Sequence, residues 1–326
     1  MRTRLTLREK LGLDDLRART ADARLALFGD PHLPKSRFSW SSLRQLMPLT
    51  GAQLWFGRNP YGRRTMIMNL FNHTPTPVEA GWSVEITQVR DFRGGNLTYD
   101  SHNGTDFAVP PGTLVAAAAA GRVVRIVNEY NRGGLKVVLD HGAGLVTSSN
   151  HLGRALVRVG DVVRRGEPIA LSGYSGLDGL VTFPFGIPHV HYNVWLGGVA
   201  VDPFARPGEV ALWLDGEDPR PRPRAEDEPV PANDWSETAI RDGIAACKDS
   251  AIRASLEAED DLDRRGCALV FQYVTYPTRF TARPAPYAAP AVRAPRLALP
   301  FLPEEIDGVA FPSRTRRTSE RTAAGR

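Results

Sequence analysis

Between residues 80 and 205 the chain is a succession of short apolar runs, each broken off by glycine: 113–118, 122–127, 135–139, 145–147, 155–159, 168–171 and 189–195. The runs are too short and too closely spaced for helices. Gly133-Gly134, Gly142, Gly144, Gly160, Gly166 and Gly197-Gly198 stand at the joints, where tight turns need a positive φ. Short strands at even spacing with glycine turns predict a mainly β domain, an antiparallel sandwich or barrel, over residues 78–210.

The flanks read differently. Leu13, Leu16, Ala23 and Leu27 recur at helical spacing and predict a helix within 1–30. Residues 31–77 are irregular but rich in aromatics (Phe38, Trp40, Trp55, Phe56, Tyr61), which are expected to pack on the main domain. DGEDPRPRPRAEDEPVPAND (215–234) lies in a proline- and charge-rich linker, set at 211–234, with no capacity for a core. In the segment 235–281, Ile240, Ile244, Cys247, Ala251, Ala258 and Leu262 keep a helical stripe behind Asp234 and Glu237 at cap-box spacing. CALVFQYVTY (267–276) reads as a strand, and the proline- and arginine-rich residues 282–326 read as an extended, disordered tail.

Composition sets the outer limits. With 326 residues, 42% hydrophobic and 24% charged, the chain can bury a sizeable core. The net charge of +5 owes much to Arg314, Arg316, Arg317, Arg321 and Arg326. Such a balance attracts anionic polymers, nucleic acid or an acidic cell wall, and specifies no nucleic-acid sequence. Two cysteines, Cys247 and Cys267, exclude a disulfide framework and leave one bridge or two separate thiols. Residues 1–30 carry charges throughout and lack the apolar stretch of a conventional signal peptide, so a cytoplasmic start is one expectation. No segment has the run of about 20 apolar residues that would span a bilayer.

Five of the seven histidines fall between 102 and 191. His102 and Asp106 form H-N-G-T-D, and His189 and His191 form H-V-H. On a strand, residues two apart share a face, so HVHYNVW would turn His189, His191 and Asn193 one way and Val190, Tyr192 and Val194 the other. A strand with two imidazoles on its polar face is suited to offer nitrogen to zinc. Two histidines and a carboxylate leave a fourth coordination position for water, whose pKa the metal lowers to about 7. Each short motif is weak alone. His32, His73 and His141 read as loop or backbone-satisfying histidines.

The order of motifs is more telling. His102-Asn103-Gly104-Thr105-Asp106 is followed by Val138-Leu139-Asp140-His141-Gly142 and His151-Leu152. Then come Val157, Gly160-Asp161-Val162-Val163-Arg164-Arg165-Gly166, Gly173-Tyr174-Ser175-Gly176, His189-Val190-His191 and Val201-Asp202-Pro203. Over residues 95–205 this resembles the lysostaphin/LytM-type zinc metalloendopeptidases. The resemblance implies a duplicated hybrid motif fold, an antiparallel β-sandwich related to the lipoyl-type barrel. It implies one Zn2+ held by His102, Asp106 and His191, with His151 and His189 assisting catalysis. The substrate it implies is the peptide of peptidoglycan cross-links, and the place of action the cell envelope or beyond. Degenerate relatives that only bind the wall or activate another hydrolase are the alternative. Ser149 and Asn193 depart from the family pattern, and the connection from Gly176 to His189 is longer than usual. Its prolines and glycines argue against a regular helix there, and its apolar side chains either fold back as a small satellite core or, with Phe183 and Phe185, wall the groove.

Overall fold

A computed structural model of the protein describes residues 4–74 and 76–312. Eleven strands form one mostly antiparallel sheet: β1 (Arg64–Asn69), β2 (Thr105–Ala108), β3 (Leu114–Ala116), β4 (Gly121–Glu129), β5 (Gly134–Asp140), β6 (Leu145–Ala155), β7 (Val162–Val163), β8 (Pro168–Ser172), β9 (His189–Leu196), β10 (Val199–Ala200) and β11 (Gly308–Ala310). The main path runs β11-β1-β2-β9-β6-β5-β4-β7, with the β8–β3 pair branching from β6 and β10 from β9. β6 makes the branch possible: its first half pairs with β9 and its last residues pair with β8. One core holds Val137 and Leu139 of β5, Val190, Tyr192 and Val194 of β9, Val115 of β3 and Ile169 of β8, so the sheet folds over a shared interior. The period-2 reading of HVHYNVW is met, with Val190, Tyr192 and Val194 inside.

Helices lie in the flanks and in one loop: α1 (Leu7–Lys10), α2 (Leu16–Phe28), α3 (Pro48–Trp55), α4 (Leu177–Thr182), α5 (Glu237–Ala245), α6 (Ser250–Glu257) and α7 (Leu262–Thr275). Asp15, Ser236, Asp249 and Asp261 cap α2, α5, α6 and α7, each accepting first-turn backbone N–H groups that the helix leaves unpaired. Among the described residues no helix is long and apolar enough to cross a membrane.

Several sequence expectations fail for identifiable reasons. Residues 267–276 lie in α7, not a strand. That helix is buried from Cys267 to Tyr273 except at Ala268, which hides the polar stripe that would have given away its period. Residues 282–312 are no disordered tail. Leu297, Leu299 and Phe301 alternate into the main core, the Ala298 N–H donates to the Ala118 carbonyl, and β11 pairs in parallel with β1. Proline deprives such a segment of helix but not of alternate burial. The tail arginines from 314 onward lie outside the described residues. At the front of the presumed linker, Leu212 and Trp213 are core residues. Residues 177–182 form α4 just ahead of Pro184. In 31–77, Trp55 packs on Tyr174 and Phe183, but Phe38, Trp40 and Phe56 are exposed. Cys247 and Cys267 are two buried free thiols.

Candidate metal centre

Strand register assembles the site. Asn69 on β1 lies opposite Asp106 on β2, Asp106 opposite His191 on β9, and His191 opposite Asn150 on β6. Four polar residues thus form one row across four strands. His102 joins from the turn before β2, its backbone carbonyl accepting from the Asn72 N–H at 2.9 Å. Gly104 makes the approach possible. A Cβ there would sit 2.6 Å from the Tyr192 carbonyl oxygen and 2.8 Å from His191 Nε2, so the central glycine of H-N-G-T-D is a steric requirement.

Three ligand atoms converge. His191 Nδ1 lies 2.7 Å from Asp106 Oδ1, His102 Nε2 lies 3.0 Å from the same oxygen, and the two nitrogens are 3.1 Å apart. Tetrahedral ligands about 2.0 Å from a zinc ion sit about 3.3 Å from one another, so the group fits such an ion with an opening of a few tenths of an ångström. The outer contacts suit ligation. His102 Nδ1–H donates to the Leu70 carbonyl (2.6 Å), which leaves the Nε2 lone pair facing the centre, and Asn69 Nδ2 donates to Asp106 Oδ2 (2.8 Å).

The electrostatics agree with a donor set. Burial alone would raise the Asp106 carboxyl, but His102, His189 and His191 outweigh it and hold the group well below the usual carboxylate range. Burial pushes His191 and His189 below the ordinary imidazole value, opposed in part by Asp106. Both directions favour the deprotonated forms of Asp106, His189 and His191, the forms in which such groups bind a metal.

His151 and His189 stand beside this triad, both buried. Their ring centroids are 4.6 Å apart, and His189 Nε2 lies 3.8 Å from Asp106 Oδ1. His151 occupies a bulge in β6 with φ 58, a left-handed conformation that a residue with a side chain adopts at a cost of about 1–2 kcal/mol. Two backbone bonds hold it there: its N–H donates to the Gly133 carbonyl and its own carbonyl accepts from the Gly173 N–H. His151 Nδ1–H donates to the Ser175 carbonyl (2.7 Å) and His189 Nδ1–H to the Ile187 carbonyl (2.8 Å), so both Nε2 lone pairs are free.

All five residues singled out in the sequence are thus neighbours, and four of them (Asp106, His151, His189 and His191) line a cavity of about 470 Å³. One wall comes from the N-terminal flank (Leu27, Phe38, Leu43) and another from α7 (Phe271, Val274). Phe183 and Phe185 do not line it. The α4 turn presents Leu177, Asp178, Val181 and Thr182 instead. Sequence reasoning missed Asn69, Asp178 and the pair Asn150–Asn193, whose amides bond at 2.7 Å on the cavity floor. Only Asn193, two residues past His191 on the same face, carried a local signal. His141 serves structure, its Nδ1 bonding the Ala120 carbonyl and its Nε2 the Thr147 hydroxyl. His73 pairs with Asp202. His32 lies in a turn where its backbone N–H donates to Asp30.

Part of the chain is similar to known proteins. Residues 100–203 match peptidase family M23, and the chain contains a peptidase M23 domain. The chain is 42% identical over 127 residues to the peptidoglycan DD-endopeptidase ShyA of Vibrio cholerae, 39% of this chain and 28% of that protein. It is 41% identical over 93 residues to the murein hydrolase activator EnvC of Escherichia coli, 28% of this chain and 20% of that protein. The matches therefore span little more than a quarter of the first relative and a fifth of the second. A crystal structure of a zinc-containing peptidase from Vibrio cholerae aligns with TM-score 0.31 and 28% identity over 43% of this chain and 38% of that one.

Proposed function

We propose that this protein is a zinc-dependent metalloendopeptidase that hydrolyses peptide bonds in the cross-links of bacterial peptidoglycan. The observation that carries the reading is the convergence of His102 Nε2, Asp106 Oδ1 and His191 Nδ1 within 3.1 Å of one another, beside two further imidazoles with free Nε2 lone pairs. His102, Asp106 and His191 would hold one zinc ion per chain. Zinc bound by two histidines and a carboxylate supplies a Lewis acid for a peptide carbonyl and makes a water acidic enough to attack near neutral pH.

The remaining work falls to the protein. With Nδ1–H tied to a backbone carbonyl, His151 Nε2 can take a proton from the attacking water and return it to the leaving amine nitrogen. His189 Nε2, 3.8 Å from Asp106 Oδ1, can share that proton or, once protonated, donate to the developing oxyanion. Phe38, Leu43 and Phe271 in the cavity walls would restrict the peptides that enter. The similarity to ShyA supports peptidoglycan as the substrate and, with it, a place of action at the cell envelope or outside it.

The similarity to EnvC favours a second reading, a module that binds the wall or activates another hydrolase. The complete donor set and the two unengaged Nε2 atoms support the enzyme. Digestion of purified peptidoglycan by metal-loaded protein tests the choice: new peptide termini are expected, and wall binding without them would favour the module.

A further inference from the structure

The cavity that holds the candidate metal centre is bordered by a second one of about 320 Å³. His102 lies in the wall of this smaller cavity, whereas Asp106 and His191 lie in the wall of the larger. Trp82, Asn103, Arg132, Val274 and Thr275 line both, so the three ligands stand where the two cavities meet. An extended peptide drawn from one cavity into the other passes the Arg132 side chain. We propose that Arg132 binds a free carboxylate of the cross-linked peptide, and so selects peptides whose carboxyl groups are not amidated. The choice of substrate rests on the peptidase reading above; the anion site itself does not.

The charges on the two walls carry the inference. Lys136, a cation of the larger cavity, is answered by Glu129 at 2.7 Å. Asp100, the carboxylate on the smaller cavity's wall, is taken up by the Thr87 N–H (3.0 Å), the Thr87 hydroxyl (2.9 Å) and the Ser83 hydroxyl (3.2 Å). Arg132 has no such answer. Burial pulls its guanidinium below the ordinary value, and Glu129, a carboxylate that opposes the shift, is already committed to Lys136. Among the described residues no carboxylate is paired with Arg132. Its Nη1 donates to the Asn131 carbonyl at 2.9 Å and reaches the Ser36 hydroxyl only at 3.5 Å. Its Nε is buried with no hydrogen-bond partner among the described residues. A guanidinium keeps its proton in a protein, so this desolvated charge stays uncompensated until an anion arrives.

The group is also held in position. Its Cζ lies 5.1 Å from the centre of the Trp82 ring and 5.8 Å from that of Tyr276. Such contacts fix a cation without neutralising it. A planar guanidinium fixed between rings, with Nε–H uncommitted, suits the two oxygens of a carboxylate. A carboxamide in the same place offers one oxygen and no charge, and turns an N–H2 donor toward another donor.

The test uses zinc-loaded full chain and two substrates: a cross-linked muropeptide dimer, and the same dimer with its carboxyl groups converted to carboxamides. The wild type is expected to hydrolyse the acid form with kcat/KM higher by about tenfold or more. The difference should lie mainly in KM, because a bond made to the resting substrate is kept in the transition state. Arg132→Gln should bring the acid-to-amide ratio to within about twofold of one. Arg132→Lys, which keeps the charge without the fork, should leave an intermediate ratio, and it tests the point if the glutamine variant fails to fold. Arg122→Gln removes an exposed cation of β4 and should leave the ratio at the wild-type level. Equal rates on the two dimers, a preference that survives Arg132→Gln, or an equal loss in Arg122→Gln would overturn the proposal. If the wild type cuts neither dimer, the peptidase reading fails, and calorimetry of dimer binding decides the anion site. Tighter binding of the acid form that Arg132→Gln abolishes would support the site, and equal binding of both forms would overturn it.

Discussion

Asp106 and His191 face each other as register partners on neighbouring antiparallel strands, with Oδ1 and Nδ1 2.7 Å apart. The ladder between β2 and β9 is therefore also the frame of the candidate metal centre, and zinc should bind only the folded chain. Zinc is expected to raise the melting temperature, and a chelator to reverse the gain, because a ligand specific to the native state adds its binding free energy to stability. His102→Ala, Asp106→Ala and His191→Ala should each lower the zinc affinity by about tenfold or more. Dialysis against graded zinc, with bound metal counted, checks this. Undiminished tight binding in an Asp106→Ala, His191→Ala double variant would refute the assignment.

His151→Ala and His189→Ala should separate chemistry from coordination. Both should keep the zinc ion, since neither belongs to the proposed ligand set. Hydrolysis should fall by about 10²–10⁴-fold, the range for loss of a general acid–base group. Near-normal turnover in His151→Ala would show that its left-handed backbone and inward-facing Nε2 serve something other than proton transfer.

Asn69 tests the row across the sheet. Its amide donates to Asp106 Oδ2 at 2.8 Å and orients the carboxylate from behind. Asn69→Ala should weaken tight zinc binding by about 10–100-fold, as outer contacts of metal ligands commonly do, with a smaller change in melting temperature of the zinc-free chain. Unchanged zinc affinity would leave Asn69 a packing residue.

Asp140 supplies a pH signature away from the metal. Burial raises its carboxyl to about 6, and the bonds from Gly142 N–H (2.9 Å) and Asn233 Nδ2 (2.7 Å) only partly offset the cost. Because the folded state binds this proton more tightly than the unfolded chain, the contribution is fully present below about pH 4. It is lost as pH rises through about 6. Urea unfolding of zinc-free protein should show the wild type losing on the order of 2 kcal/mol more than Asp140→Asn between pH 4 and 7. Parallel pH profiles would contradict this account of Asp140.

That the five candidate residues would be neighbours was legible because their motifs sit in short strands and turns, where a period of two reports which way a side chain points. His189 and His191 show this best. What the sequence hid is long-range. Asn69 reaches Asp106 only through the pairing of β1 with β2, and β1 comes from a flank with no strand alternation to mark it. Asp178 reaches His151 only because a six-residue helix forms where proline and glycine argued for loop, with Gly179 permitting close packing on Tyr174. α7 was mistaken for a strand because burial on nearly all sides erases its polar face. The alternation of Leu297, Leu299 and Phe301 was present in the sequence, but the surrounding prolines obscured it.

The central claim is that His102, Asp106 and His191 hold zinc for peptide-bond hydrolysis in the bacterial wall. Mass spectrometry of purified cross-linked peptidoglycan, incubated with metal-stripped protein and with the same protein after one equivalent of zinc, tests it directly. The expected result is a set of un-cross-linked muropeptides with new amino and carboxyl termini. They should appear only with zinc and be absent for Asp106→Ala. Identical fragment profiles with and without zinc, from folded protein that has bound the metal, would contradict it.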